Sequence, residues 1–295
     1  STHGKGWGAL HEIPDQRSVT AQLTAFSARA KSQEYVPELI GQAFSVFSSQ
    51  RPRPVHISIP IDVLAQPVSE DWLPMKLPKR AQSNSDDIKA AANLLRLANR
   101  PLVMVGGGAV EASVPIRNLV DKLQAPVVCS TAGKGIVPDG HPLSLNASTV
   151  RSEVQSFIST ADVILAVGTE LAETDSFVES LDIRGEIIRI DLDPRKLNDQ
   201  YPSTIGIVAD ANESIKALLE EGGYKSKRQE NKIYNELEKI RQKIKENLTL
   251  SEKQHMRLLG SLKEQMPEDT FYAGDICQFV YTGAFGMDVS SPGCW

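Results

Sequence analysis

No run of apolar residues approaches the roughly 18 that a membrane-spanning helix requires, and no signal-peptide pattern is visible. Cysteine is scarce. Cys129, Cys277 and Cys294 are widely spaced and form no CxxC pair. That excludes an ordinary zinc ribbon and fits a reducing compartment, so the cytoplasm is the expected location. Histidine is scattered: His3 and His11 lie near one another and His56 stands alone, with no HExxH pattern and no His/Asp/Ser set. No metal is assigned from these residues. Charge of one sign is not concentrated anywhere. The net charge is −5 with acids and bases mixed, whereas nucleic-acid binding needs a concentrated basic surface. Nucleic acid is therefore excluded as the main partner, while a small anionic ligand held by local groups is not. Repeats on the scale of solenoids are absent. A starting methionine is missing too. The chain opens on the glycine-rich Ser1–Gly8 and closes on Ser291-Pro292-Gly293-Cys294-Trp295, so both ends read as cuts through folded structure.

What is present is a regular alternation of helices and strands. The 295 residues, 41% of them hydrophobic, suffice for two domains with packed cores. Residues 35–49 predict a helix with Leu39, Ile40, Ala43, Phe44 and Phe47 on its apolar face. Arg51-Pro52-Arg53-Pro54 stops it, and residues 55–60 alternate as a strand. Pro67, Pro74 and Pro78 punctuate a polar linker over 67–84. Beyond it, strand patterns at 101–105, 126–129, 161–167, 186–191 and 205–209, the first a continuous apolar run, alternate with helical patterns and end in glycine or acidic turns. Continuous apolar runs are the mark of buried parallel strands, so residues 85–222 predict a doubly wound α/β sheet. A charged helical connector follows over 223–266, its narrow stripe of Ile233, Leu237, Ile240 and Ile244 fitting a surface helix. Thr270–Asp275 reads as the opening strand and turn of another domain, over 267–295.

The candidate chemistry lies where these strands end, the edge at which open α/β sheets bind ligands. Gly106-Gly107-Gly108 follows the first strand of the sheet, and glycines let a backbone approach a phosphate closely. The triplet is not GxGxxG, however, and a purely structural turn accounts for it as well. Gly168-Thr169 and the pair Asp191/Asp193 occupy equivalent places. The acids can accept from a ribose hydroxyl or cap the next helix. Glu170, Glu173 and Asp175 form an acidic cluster that reads either as a solvated helix start or as a group attracting a cation.

Arg51–Val63 resembles the RPGPVxxxIPxDV segment that closes the pyrimidine-binding domain of thiamine-diphosphate-dependent enzymes. Leu10-His11-Glu12-Ile13 is similar to that family's FQE segment. Arg100–Gly108, Val167-Gly168-Thr169 and Ile190–Pro194 are similar to strand ends of its central domain. The resemblance covers nearly the whole chain in the correct order and points to enzymes of the acetolactate synthase large-subunit and 2-oxo acid decarboxylase type. It implies a C-terminal part of a pyrimidine domain over 1–66, a complete central domain over 85–222 and the start of a diphosphate domain over 267–295. It further implies thiamine diphosphate and magnesium as cofactors of the intact parent, a 2-oxo acid substrate and a homo-oligomer. The family's catalytic glutamate has no counterpart here, so the catalytic residues are unknown and the chain by itself is expected to be inactive. Asp275-Ile276-Cys277-Gln278 resembles DxGQ, with cysteine in place of glycine, which makes Gln278 the best cofactor contact. Glu170 and Glu173 stand where acetohydroxyacid synthases carry bases beside a flavin pyrophosphate. Acids there speak against FAD and against acetolactate synthesis. A decarboxylase acting on guanidino-oxo acids fits better. The competing readings are a nucleotide-binding regulatory module and a non-catalytic remnant.

Overall fold

Strand β1 (Phe26–Arg29) and strand β2 (Val55–Ser58) lie parallel in the computed structural model, in register from Phe26 opposite Val55 to Arg29 opposite Ser58. The structure describes residues 6–8, 10–68, 71–224 and 230–295; His3 and most of the opening glycine-rich stretch lie outside them. The helix Tyr35–Ser49 makes the crossover between the two strands. Glu38 stands in its first turn, where a negative charge suits the helix dipole, and its last residue lies just before Arg51-Pro52. Leu39 and Ala43 are buried as the helical periodicity predicts, but Ile40, Phe44 and Phe47 are exposed. Two strands offer little surface. The helix therefore buries one narrow stripe, Val36, Leu39 and Ala43 at i, i+3 and i+7, and the adjacent stripe stays outside. This first unit spans Ser1–Ala81.

The second unit, Gln82–Trp295, is built on a five-stranded parallel sheet. Its strands are β3 (Pro101–Val105), β4 (Val127–Cys129), β5 (Val163–Val167), β6 (Glu186–Asp191) and β7 (Ile205–Val208), arranged β4-β3-β5-β6-β7. Every residue of β3 and β5 is buried, because helices cover both faces of the sheet and these two central strands are continuously apolar. The helices Ser85–Leu97 and Ser113–Leu123 both pack on the helix Ala211–Glu221, and Ser152–Ile158 packs with Glu230–Glu246. Caps fix where the first and third of these begin. The Asn84 side chain accepts from the Asp86 N–H at 2.8 Å, and Asp210 accepts from the Glu213 N–H at 3.1 Å. The Asp162 carboxylate accepts from the N–H groups of Asn99 and Arg100 at 2.7 and 2.8 Å, tying the entry of β3 to the start of β5.

Two expectations change. The helix Glu230–Glu246 is more than a charged surface helix: Ile233 and Leu237 are buried in the main core, with Ile240 and Ile244 packed against it. A stripe one residue wide is enough when it faces an apolar layer already formed by other elements. The strand expected over 270–275 does not form among the described residues. The Tyr272 N–H donates to the Cys294 carbonyl at 2.9 Å, but the neighbouring backbone there is the turn carrying Pro292 and Gly293, which cannot extend a ladder. No helix among the described residues is long and apolar enough to cross a membrane.

Candidate functional site

The order of the sheet reverses at β3. From β3 the chain moves outward to β4, then returns past β3 to β5, β6 and β7. The carboxyl ends of β3 and β5 therefore flank the topological switch point, where open parallel sheets receive ligands. Gly106, Gly107, Gly108, Gly168 and Thr169 meet at this point.

Their backbones close it. The Gly106 N–H donates to the Val167 carbonyl and the Gly108 N–H to the Gly168 carbonyl, each at 3.0 Å. A Cβ placed on Gly106 would stand 2.4 Å from the Gly168 oxygen, and one on Gly168 would stand 2.5 Å from the Gly108 carbonyl carbon. Gly168 also has φ +55°, a left-handed conformation that favours glycine. The triplet is thus explained by backbone packing against backbone. Two N–H groups that could cradle a phosphate already have partners, and the crevice between them is filled. A cavity beside it is lined by Cys129, Thr149, Thr169, Leu171, Asp175 and Leu181. Its volume is ≈ 10 Å³, room for about one water molecule.

The polar residues at this edge serve the protein's own chain. The buried Thr169 hydroxyl accepts from the Leu171 N–H at 3.2 Å, and the Thr169 carbonyl accepts from Arg189 Nη2 at 3.1 Å. Arg189 lies within β6 and is itself buried, its charge met by Asp199 Oδ1 at 2.6 Å. Asp191, one strand away from the glycines, accepts from the Asp193 N–H at 2.9 Å. Asp193 in turn caps the short helix Pro194–Asn198 by accepting from the Arg195 N–H at 3.1 Å. The acidic cluster is divided among partners. Glu170 pairs with Lys196 at 3.2 Å, and Asp175 accepts from the Thr131 N–H at 3.3 Å. Burial raises the Asp175 carboxyl above its usual range, and the like charge of Glu170 adds to that. Among the described residues no group of three or more His, Cys, Asp or Glu is placed to hold a metal.

Gln278 belongs to a different element. It is exposed and opens the helix Gln278–Gly286, after Cys277 in the N-cap position. His56 and His255 have structural partners. His56 Nδ1 lies 3.0 Å from Ser27 Oγ and 3.1 Å from Thr20 Oγ1, and His255 Nδ1 lies 2.9 Å from Thr282 Oγ1.

Cysteine reactivity follows from placement. Cys277 is exposed while Cys129 and Cys294 are buried. Burial, with nearby Asp139 adding to it, pushes the Cys129 thiol far above its ordinary value. The expected outcome of alkylating the folded protein is one modified thiol, at Cys277, with all three modified after denaturation. Peptide mass spectrometry reads this directly.

Sequence reasoning missed a buried polar cluster in the loop after β4. Lys134 Nζ donates to Asp139 Oδ2 at 2.8 Å, to Asn146 Oδ1 at 2.5 Å and to the Met287 carbonyl at 2.9 Å. The Lys134 and Asp139 side chains are 1% and 0% exposed. Burial raises the Asp139 carboxyl despite the ammonium beside it. The only local signal was a lysine between the two glycines of Thr131-Ala132-Gly133-Lys134-Gly135, read there as a glycine loop.

Residues 88–218 match the family model described as the thiamine pyrophosphate enzyme, central domain. They form a thiamine pyrophosphate enzyme central domain. A probable 2-ketoarginine decarboxylase of Pseudomonas aeruginosa is 42% identical over 294 residues, which is 99% of this chain and 52% of that protein. The acetolactate synthase isozyme 3 large subunit of Escherichia coli is 30% identical over 229 residues, 73% of this chain and 39% of that protein. A probable acetolactate synthase large subunit of Methanocaldococcus jannaschii is 29% identical over 227 residues, 72% of this chain and 38% of that protein. The chain thus spans about half the length of the first relative and less of the others. The matched central-domain region contains all five strands of the sheet and the closed glycine switch point.

Proposed function

We propose that this chain serves a thiamine-diphosphate-dependent enzyme that decarboxylates a 2-oxo acid carrying a guanidino group. The observation that carries this reading is the gradient of similarity. Identity is 42% across 99% of the chain to a probable 2-ketoarginine decarboxylase, against 30% or less across about three quarters of it to the two acetolactate synthases above. Glu170 agrees with it, being paired to Lys196 where a flavin pyrophosphate would need a base. The nucleotide-module reading gains nothing from the switch point, whose N–H groups at Gly106 and Gly108 are already bonded.

Thiamine diphosphate would supply an acceptor for the electron pair left when carbon dioxide departs. The chain's own fit to it rests on Gln278, exposed in the first turn of a helix, where a side-chain amide and the helix N-terminus suit a diphosphate oxygen. The described residues offer no carboxylate cluster for magnesium, so no step is assigned to the metal here. Assembly into a homo-oligomer belongs to the same proposal.

The test is carbon dioxide release by the complete gene product, supplied with thiamine diphosphate and magnesium, from a panel of 2-oxo acids. The expected result is preference for the guanidino-oxo acid over pyruvate. Release of carbon dioxide from none of them would overturn the reading.

A further inference from the structure

The polar groups of the loop between β4 and the helix Ser152–Ile158 are aimed at one stretch of backbone far along the chain. Lys134 Nζ donates to the Met287 carbonyl at 2.9 Å. The Val289 N–H donates to Asp139 Oδ2 at 2.8 Å, and the Asp139 N–H donates to the Val289 carbonyl at 3.0 Å. Asn146 Nδ2 donates to the Phe285 carbonyl at 3.3 Å. The residues gripped are Phe285, in the last turn of the helix Gln278–Gly286, and Met287 and Val289 in the segment that leaves it extended at Met287. Contact continues beyond them. A Cβ on Gly135 would stand 2.1 Å from the Ser291 oxygen, and Lys134 Nζ lies 5.6 Å from the centre of the Trp295 ring.

Stability alone does not account for a buried Lys–Asp pair, because well-packed apolar residues of similar volume usually do as well or better. Direction is what the charges add. Each of the three side chains reaches this stretch through one backbone atom, and a shift of the segment by one residue would take those atoms away and leave buried polar groups without partners. We propose that Lys134, Asp139 and Asn146 act together as a positioning clasp. The clasp fixes the segment after Gly286 in one register on the central domain, and with it the orientation of the helix that opens on Gln278. The clasp is a property of the chain itself. Its consequence for the cofactor rests on the proposed function.

The test is hydrogen exchange on the 295-residue chain without cofactor, together with thiamine diphosphate titration of the complete gene product. Two variants are compared with the parent. Lys134→Met combined with Asp139→Leu removes both charges and leaves neither unpaired. Asn146→Gly removes one arm and keeps the φ of +61° that this position adopts. In both, the amides of residues 287–291 are expected to exchange at least tenfold faster while those of β3 and β5 are unchanged. Thiamine diphosphate is expected to bind at least tenfold more weakly. Unchanged exchange at 287–291 overturns the clasp, whatever the titration gives. Faster exchange with unchanged affinity overturns the link to Gln278. Faster exchange with a parent that binds no thiamine diphosphate leaves the clasp standing and overturns the cofactor reading.

Discussion

Replacing Lys134 by methionine alone is expected to lower the stability of the second unit by about 3–5 kcal/mol, the usual consequence of removing one partner of a buried ion pair. Methionine matches the lysine stem in length, so packing changes little. What changes is that Asp139, 0% exposed in its side chain, loses its counter-charge. Asp139 Oδ1 already has no hydrogen-bond partner among the described residues. The loss of Nζ therefore leaves only the Val289 N–H on the other oxygen. The effect has a defined pH dependence. Burial raises the Asp139 carboxyl above the ordinary 3.8 even with the lysine present, and Asp288 adds to that. Without the lysine it rises further. A carboxyl raised in the folded state contributes stability that is present below its unfolded pKa and is lost as pH rises through the folded one. The deficit of the variant relative to the parent should therefore be largest near neutral pH and shrink as pH falls toward 4. Urea melts of both proteins at several pH values check the magnitude and the sign together. Adding Asp139→Leu to Lys134→Met should restore most of the loss, because the orphaned charge is then gone.

Gly168→Ala is expected to be comparably severe, at about 2–6 kcal/mol, from two separate sources. The left-handed φ of +55° strains any residue with a side chain, by about 1–3 kcal/mol. The new methyl would also stand 2.5 Å from the Gly108 carbonyl carbon and 2.6 Å from the Ala109 nitrogen. Both are backbone atoms, which no rotamer change can move aside, so overpacking adds about 1–3 kcal/mol more. Gly107→Ala makes the internal comparison. Its nearest neighbour would be the Ala132 Cβ at 3.1 Å, a contact that a small shift relieves. Thermal melts of the two variants should show a large fall in Tm for the first and a small one for the second. Equal falls would mean that the close approach of the two glycine turns is not what holds the switch point shut.

The sheet was legible because its strands announce themselves locally. Pro101–Val105 is a buried apolar run and Glu186–Asp191 is rich in isoleucine, and the structure starts and ends both where the sequence predicts. The helix Tyr35–Ser49 was equally plain from its period. Which of its stripes is buried was not, since Leu39 and Ile40 are alike in hydrophobicity and only the width of the two-stranded surface decides between them. The candidate site was half legible. Glycine after a buried strand marks the right edge of the sheet, but whether it meets a phosphate or another glycine turn depends on a contact between residues some sixty positions apart in sequence. The Lys134 cluster was hidden for the same reason. Its bonds to residues 285–289 join parts of the chain separated by 139 to 153 positions, and no local pattern records such pairing.

One titration tests the account most directly: the complete gene product, with magnesium present, titrated by calorimetry with thiamine diphosphate, FAD and ADP in turn. A central domain whose switch point is closed by its own backbone should leave both nucleotides unbound, while thiamine diphosphate binds. Binding of FAD or ADP, with no heat from thiamine diphosphate, would contradict both the closed switch point and the proposed cofactor.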